Sequence, residues 1–183
     1  ARRYSTTTFP PSTEERTIYM DGQPAYNTWG GWTPEEGDVT PFLRLHQHIF
    51  RNSDPEIGDF ALKLMAYKFQ NPHLRVPMAI TLLGMQGSGK SMWAKIMCDA
   101  AGEYGTVINS AMLLSDFNGW IEKAQVVVID EAQPEHVAKG SERFKGLIAD
   151  SRVQLNEKYR VARDIPICPI FILTSNDRRV GHY

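Results

Sequence analysis

From residue 76 onward, segments with the apolar spacing of a β-strand alternate with segments that have the apolar spacing of an α-helix. The predicted strands are 78–83, 106–108, 125–130 and 168–174. The predicted helices are 91–101, 111–123 and 141–149. Strands that alternate with helices in this way usually form a parallel sheet with helices packed against it. We therefore expect an α/β core over residues 76–183.

The residues before this core divide into two predicted regions. Residues 39–75 show helical spacing, with Phe42, Leu45 and Ile49 on one face and a second apolar face after a proline. This region is predicted to be a small unit of two helices. Residues 1–38 are rich in Thr, Pro, Gly and Tyr and have little periodicity, which predicts an extended, loop-like N-terminal arm.

Composition and charge limit the kinds of protein that the chain can be. It has 183 residues, of which 42% are hydrophobic, and its formal net charge is −1. That length supports one good core, and the near-neutral charge confines any polyanion site to a local patch. Cys98 and Cys168 lie in apolar segments without metal or disulfide spacing, which indicates buried thiols in a reducing compartment. Without a membrane span or signal peptide, the expected protein is soluble and cytoplasmic, including in the cytoplasm of an infected bacterial host, and not secreted.

A glycine-rich octapeptide lies between the first predicted strand and the first predicted helix of the core. Residues Gly84 to Ser91 read G-M-Q-G-S-G-K-S and match G-x-x-x-x-G-K-[ST]. In that pattern, backbone amides and the helix N-terminus surround a phosphate, so we expect Lys90 to reach the β- and γ-phosphates of ATP and Ser91 to bind Mg²⁺. The expected phosphate contacts are Gly84, Gln86, Gly87, Ser88, Gly89, Lys90 and Ser91. The alternative is an ordinary Gly/Ser turn before a helix.

Two acidic residues follow a strand that is expected to be buried on both faces. The run 126–129 is entirely apolar and β-branched, and it ends in Asp130 and Glu131. Open α/β sheets bind ligands at the carboxyl ends of their strands. We expect Asp130 to hold Mg²⁺, directly or through water, and Glu131 to orient and deprotonate the attacking water. The alternative is a pair of acids that begins the next helix.

The last predicted strand ends in a polar amide. Asn176 follows Thr174 and Ser175 directly, so its side chain is expected near the same edge of the sheet. It is a candidate sensor that hydrogen-bonds the γ-phosphate or the attacking water. Asparagine is also a common residue in the turn after a strand, which is the alternative.

The order of these motifs resembles superfamily 3 helicases, and in particular the phage and plasmid primase-helicase branch. The similarity covers roughly residues 26–179. In chain order it comprises Y-N-T-W-G-G-W, D-F-A-L-K-L-M-A-Y-K-F-Q-N-P, G-M-Q-G-S-G-K-S, V-V-V-I-D-E, V-Q-L-N-E-K-Y-R and I-F-I-L-T-S-N. Many ATPases share the two ATP motifs, whereas V-Q-L-N-E-K-Y-R and the final asparagine make the match specific.

The resemblance implies an AAA+-like P-loop ATPase that forms a homo-oligomeric ring, usually a hexamer, and moves along single-stranded DNA. Lys90 and Ser91 match the Walker A positions, Asp130 and Glu131 match Walker B, and Asn176 matches the motif C asparagine. The implied function is the motor of an ATP-dependent DNA helicase in viral or mobile-element replication, with ATP and Mg²⁺ as cofactors. A primase or polymerase domain is an expected partner.

The chain departs from this family after Asn176. Family members continue through a loop to arginines that act across the subunit interface, whereas here Asp177, Arg178 and Arg179 follow at once. One explanation is that Arg178 or Arg179 is the arginine that acts across the interface, placed unusually close to Asn176 in the sequence. The others are that the chain is a fragment, or that a loop is missing between Asn176 and Asp177. The alternative is that both arginines are solvated charges.

A predicted β-hairpin carries the best basic surface of the chain. It covers 152–165, with arms at 153–155 and 159–161 and a tip at 156–158. From residue 139 to residue 164, basic residues outnumber acidic ones by seven to four. The expected contacts to single-stranded DNA are Lys158, Arg160 and Arg152. An ordinary solvated hairpin is the alternative, although by resemblance Lys158 falls in the DNA-contacting hairpin of the family.

Two other functions are compatible with the same motifs. One is a nucleotide-switch or packaging ATPase that does not unwind DNA. The other is a truncated assembly module that binds nucleotide weakly and has no turnover, because its site lacks a partner's arginine. ATP hydrolysis with and without single-stranded DNA, followed by strand displacement, distinguishes these functions from a helicase.

Overall fold

The computed structural model of the chain describes residues 6–20 and 22–182. The chain divides into two compact units, residues 1–33 and residues 34–183. The described part of the first unit contains strands β1 (Thr6–Thr8), β2 (Thr17–Met20) and β3 (Gln23–Asn27). β3 lies between the other two, parallel to β1 and antiparallel to β2. The predicted loop-like arm therefore contains strands that the sequence did not indicate. Strands of three to five residues rich in Thr and Pro are too short to show an alternating pattern.

The second unit begins with the two predicted helices, α1 (Thr40–Phe50) and α2 (Pro55–Gln70). The Asp54 carboxylate accepts the backbone N–H of Glu56 at 3.1 Å and caps α2. The two helices pack together, and α1 also packs against the first helix of the core, as described below. α1 and α2 are the two helices predicted within residues 39–75.

A four-stranded parallel sheet forms the centre of the second unit, as predicted. The remaining strands are β4 (Ala79–Leu83), β5 (Gly105–Asn109), β6 (Val126–Asp130), β7 (Arg152–Leu155), β8 (Arg163–Pro166) and β9 (Ile170–Ser175). The sheet has the order β4-β9-β6-β5, with every neighbouring pair parallel. β6 and β9 are central and almost wholly buried, which explains their continuous apolar composition.

Helices pack against the sheet and complete its core. They are α3 (Lys90–Ala100), α4 (Pro134–Lys139) and α5 (Ser141–Ala149). Phe144 of α5 meets Phe171 of β9 edge to face, with 5.3 Å between ring centroids, within a cluster that also contains Val127 and Ile129. α3 packs against β5, β6 and β9. No helix in the described part of the chain is long and apolar enough to cross a membrane.

An aromatic cluster joins α1 to α3. Trp93 of α3 is fully buried, and its indole Nε1–H donates to His46 Nδ1 at 3.1 Å. Phe42 and Phe50 lie on either side of this pair, with ring centroids 6.3 Å and 6.1 Å from that of Trp93. Burial is the main cause that lowers the pKa of His46. The helical pair is therefore fixed directly behind the helix that follows the glycine-rich loop.

The predicted helix over residues 111–123 is wrong. The structure has two short 3₁₀ helices instead, Ser110–Leu114 and Gly119–Ile121. Asn118 interrupts the helical pattern because its backbone N–H donates to Asn156 O at 3.1 Å rather than to a carbonyl one turn earlier. The tertiary contact with the hairpin overrides the apolar spacing of this segment.

The predicted hairpin exists, but its second arm is wrong. β7 pairs antiparallel with β8, so the second arm is Arg163–Pro166 rather than 159–161. The register is set by burial, because Leu155 and Ile165 point into the core while Tyr159 and Val161 are almost fully exposed. Residues 156–162 form a longer connection than predicted.

Candidate functional site

The glycine-rich loop, defined as residues 84–89, joins the end of β4 to the start of α3. Gly87 and Gly89 have φ angles of +76° and +90°, which residues with a side chain rarely adopt. A Cβ on Gly89 would also lie 2.9 Å from Leu45 Cδ1 of α1. The conformation of this loop therefore depends on glycine and on the helix behind it.

The N-terminus of α3 opens towards this loop. Gly89 is its N-cap residue, and no side chain in the described part of the chain caps it. The first amides of a helix have no partner within the helix, and with the helix dipole they attract an anion. The loop and helix together have the chemistry of a phosphate site.

Lys90 places an ammonium group inside the loop, where the side chain is only 6% exposed. Its Nζ donates to Gly84 O at 2.8 Å, Met85 O at 2.7 Å and Ser88 Oγ at 3.2 Å. It also donates to Asn176 Oδ1 at 3.0 Å. Burial lowers the pKa of Lys90, and the charge of Asp130 opposes that shift. The sequence-predicted Lys90 and Asn176 are therefore in direct contact.

Asp130 connects three elements at the carboxyl edge of the sheet. Its Oδ1 accepts a hydrogen bond from Ser91 Oγ of α3 at 2.7 Å and another from Thr174 Oγ1 of β9 at 2.5 Å. The two residues that the sequence predicted as metal ligands, Ser91 and Asp130, thus lie together. An aligned hydroxyl and carboxylate are hard oxygen donors of the kind that Mg²⁺ prefers.

Glu131 is exposed and has a φ angle of +50°, which is unusual for a residue other than glycine. Its backbone N–H donates to Thr174 Oγ1 at 3.1 Å. Backbone strain of this kind costs about 1–3 kcal/mol and is found mainly at functional sites. The structure brings Glu131 to the same pocket as the glycine-rich loop.

The pocket at this edge has a volume of about 320 Å³, at the lower end of the range for small-molecule sites. It is lined by Gln86, Gly87, Ser88, Gly89, Lys90, Ser91, Met92, Glu131, Thr174, Ser175 and Asn176. No group of three or more His, Cys, Asp or Glu side chains among residues 6–20 and 22–182 could chelate a metal alone. A metal beside Asp130 would therefore need ligands from a bound phosphate or water, as is usual for Mg²⁺.

The two candidate arginines differ in their surroundings. Arg179 forms an ion pair with Asp177 at 2.6 Å and lies 3.9 Å from Glu135. The hydrogen bonds from Arg179 lower the pKa of Asp177 to about 2. Arg178 is exposed and has no ion pair within the described residues. Of the two, Arg178 has the charge that is not already balanced by a neighbouring carboxylate.

The three predicted DNA contacts also differ. Arg152 lies at the base of the hairpin and binds Asp164, and Arg160 Nη1 lies 3.0 Å from Glu157 Oε2. Lys158 lies in the connection, with Nζ 5.5 Å from the centroid of the Phe117 ring, and has no ion pair in the part of the chain that the structure describes. Two of the three cations are therefore paired with carboxylates, and among the described residues Lys158 is the one that is not.

Two residues beside these sites were not predicted from the sequence. Thr174 is buried and hydrogen-bonded to both Asp130 and Glu131; a hydroxyl at the end of an apolar strand was its only signal. Phe117 was placed in a predicted helix and is instead a half-exposed ring beneath Lys158. Asn118 anchors this ring's loop, because its side chain bonds Gln154 O at 3.0 Å and Asn156 N at 2.7 Å.

Comparison with known proteins adds a fold and a family. No curated protein matches the chain. The apo structure of the NrS-1 C terminal region (305-718) is similar, with a TM-score of 0.81 and 20% sequence identity. Two A form apo structures of that region have TM-scores of 0.79 and 0.77 at 21% identity. In each case the similarity covers 93% of this chain and 42% of the other, so the chain spans less than half of those structures. Likeness at this identity shows a shared fold.

A family model matches residues 82–181, which is more than half of the chain and includes the site from the glycine-rich loop to the final arginines. The chain therefore belongs to the family of unknown function DUF5906.

Proposed function

We propose that this chain is the Mg²⁺-dependent ATPase motor of a superfamily 3 type DNA helicase, acting in the replication of a virus or mobile element. One observation carries the proposal: an ammonium group, an uncapped helix N-terminus and the Ser91 hydroxyl line one pocket, and the Asp130 carboxylate is hydrogen-bonded directly to that hydroxyl. An ammonium and backbone amides suit phosphate oxygens, and oxygen ligands suit Mg²⁺. Few ligands other than a nucleoside triphosphate with its metal require all of these groups.

The residues of the pocket have separate roles in phosphoryl transfer. Lys90 and the amides of the glycine-rich loop bind the phosphates, for which Lys90 must leave Gly84 O and Met85 O. Ser91 and Asp130 would hold Mg²⁺, which would supply positive charge beside the phosphate oxygens. Glu131 orients the attacking water and accepts its proton.

Asn176 and Arg178 provide the response to nucleotide. Asn176 contacts Lys90 at 3.0 Å, so phosphate binding at Lys90 releases the amide to bond the γ-phosphate or the attacking water. Arg178 acts on the site of a neighbouring subunit, because Arg179 is held by Asp177. A site completed by another copy explains a homo-oligomeric ring, as expected by resemblance to the family.

Single-stranded DNA binds at the hairpin, chiefly through Lys158. Its ammonium lies over an aromatic ring and is not neutralised by any carboxylate of the described residues, so it can hold a backbone phosphate. Tyr159 is fully exposed beside it and offers a ring for base stacking. Asn118 fixes the loop of Phe117 to the hairpin through hydrogen bonds, so the aromatic and the cation are held side by side.

The chain shares its fold with the NrS-1 C terminal region and spans 42% of that structure. The replication setting, and a larger protein with a primase or polymerase domain, are parts of the proposal that come from the resemblance of the motifs to superfamily 3 helicases. Ring assembly and strand separation by the whole protein are likewise proposals.

The test is hydrolysis of ATP with Mg²⁺, measured with and without single-stranded DNA, followed by strand displacement. We expect DNA-stimulated turnover, and Glu131→Gln should retain bound ATP while its hydrolysis slows by about 10²–10⁴-fold. Glu103→Gln, at an exposed position away from the pocket, is the matched control. Turnover without DNA stimulation or strand displacement would favour a nucleotide-switch or packaging ATPase. A monomer without turnover at any concentration would favour an assembly module.

A further inference from the structure

One buried hydroxyl lies between Asp130 and Glu131, the two acidic residues at the carboxyl edge of the sheet. Thr174, near the end of β9, is 1% exposed. Its Oγ1 donates to Asp130 Oδ1 at 2.5 Å and accepts the backbone N–H of Glu131 at 3.1 Å. A hydroxyl has a single proton to donate, so this group can serve both neighbours only in the orientation that the two bonds define.

The hydroxyl matters most for Glu131, whose backbone is in the left-handed region at φ +50°. Such a conformation persists only where the surroundings hold it. If the hydroxyl were absent, the Glu131 amide would lose the hydrogen-bond partner that holds it. The left-handed backbone conformation of Glu131 therefore depends on the Thr174 hydroxyl.

Further bonds from β9 hold the residue after the turn. Ala132 N donates to Thr174 O at 2.7 Å, and Ser175 Oγ donates to Ala132 O at 2.8 Å. These bonds fix the backbone but do not touch either acid. Within the described residues, the Thr174 hydroxyl is the single group of β9 that bonds the Asp130 carboxylate.

The same bond orients the carboxylate. Ser91 and Thr174 both donate to Oδ1 of Asp130. In the described part of the chain, Oδ2 has no hydrogen-bond partner. Two donors on one oxygen fix the rotation of the carboxylate and leave the other oxygen available as a ligand.

We propose that Thr174 is a positioning residue that orients Asp130 for the metal and holds Glu131 in its strained turn for water. The proposal rests on the proposed ATPase function and adds the residue that couples its two acids. Thr174 acts through these neighbours and not on the substrate. Its hydroxyl also connects both acids to β9, the strand that Asn176 follows directly.

The test compares Thr174→Val, which removes the hydroxyl at nearly constant volume, with Thr174→Ser, which keeps it. We expect the valine variant to lose at least about 10-fold in kcat, with KM for ATP changed less than about 3-fold, and to need more Mg²⁺ for half-maximal rate. The serine variant should restore both values to within about 3-fold of the unmodified protein. Thr106→Val on β5, whose side chain is away from the pocket, is the matched control and should behave as the unmodified protein.

Hydrogen–deuterium exchange at residues 130–132 gives a readout that does not need activity. The valine variant should exchange faster there, and the serine variant should not. Unchanged exchange, or a valine variant with the original kcat and Mg²⁺ requirement, overturns the role of Thr174 even if the protein hydrolyses ATP. An unmodified protein that neither binds nor hydrolyses ATP contradicts the proposed function itself, and the exchange data then still decide whether Thr174 holds the turn.

Discussion

Two lysines are buried in the second unit, and they illustrate two uses of a buried ammonium group. Lys68 of α2 is 0% exposed and donates to Pro72 O at 2.7 Å, Leu74 O at 3.3 Å and Cys168 O at 2.6 Å. Lys90 is 6% exposed and also donates to backbone carbonyls. Burial and carbonyl acceptors are common to both, so neither property alone identifies a functional lysine.

The difference lies in what the acceptors belong to. The acceptors of Lys68 come from the loop after α2 and from the segment just before β9, so the buried ammonium joins two backbone segments. The backbone acceptors of Lys90 come from the glycine-rich loop, which lines a pocket. A further acceptor is the side-chain amide oxygen of Asn176, which a ligand could replace. We therefore expect Lys90, whose partners a ligand can replace, to be the functional lysine of the two.

The strongest way to break this comparison is Lys90→Ala. If Lys90 holds phosphate, the variant should lose detectable ATP hydrolysis and most nucleotide affinity, while its free energy of unfolding changes little. Steady-state turnover and equilibrium unfolding in urea measure the two effects. Lys95→Ala, an exposed lysine on the same helix, should leave both unchanged. Hydrolysis by the Lys90→Ala protein at the original rate would remove Lys90 from the site.

Lys68→Met should give the opposite result. The substitution leaves carbonyl groups without a donor in a buried place, which we expect to lower the free energy of unfolding by about 3 kcal/mol. Nucleotide affinity should stay within about 2-fold, because Lys68 does not line the pocket. Urea unfolding and a nucleotide titration on the same sample test both statements. A stable variant that no longer binds nucleotide would reverse the roles assigned to the two lysines.

The pH dependence of stability sharpens the description of Lys68. Burial lowers the pKa of Lys68 to about 8 in the folded chain, from the value of 10.5 that is ordinary for an exposed lysine. Between these values the unfolded chain binds more protons, so the free energy of unfolding should rise as the pH rises, by about 2 kcal/mol from about pH 7 to about pH 9.5. Urea unfolding across this range measures the rise. Lys68→Met should lack this part of it, and an identical rise in that variant would show that other groups cause it.

The smallest expected effect concerns Lys158. Unlike the two buried lysines, it is exposed, and we expect it to act through its charge. Lys158→Ala should reduce DNA-stimulated hydrolysis about 3- to 10-fold and weaken the salt dependence of DNA binding, with basal hydrolysis unchanged. Lys145→Ala, an exposed lysine on α5, is the control. Fluorescence anisotropy of labelled single-stranded DNA at several salt concentrations checks the binding part. Equal affinity and equal salt dependence would place DNA elsewhere on the chain.

The sequence was informative where structure depends on neighbouring residues. The spacing of Phe42, Leu45 and Ile49 predicted α1, and the apolar run before Asp130 predicted a central strand. The glycine-rich octapeptide predicted a turn between a strand and a helix for the same local reason. The α/β class and the order of its elements followed from such local patterns.

Long-range contacts were beyond the reach of local patterns. Lys68 binds Cys168 O, 100 residues away, and Thr174 meets Asp130 across 44 residues. The false helix at 111–123 fails because Asn118 bonds the hairpin, which is 38 residues further along the chain. Each of these features depends on a partner that spacing alone does not identify.

The most direct measurement of the central claim is a titration with Mg²⁺ and a slowly hydrolysed ATP analogue, mapped by hydrogen–deuterium exchange. If the glycine-rich loop and the two acids at the end of β6 form one nucleotide site, saturable binding in the presence of Mg²⁺ should protect residues 84–92 and 130–132 together. Without Mg²⁺, residues 130–132 should not be protected. Binding that protects other parts of the chain, or the absence of saturable binding, would contradict the account.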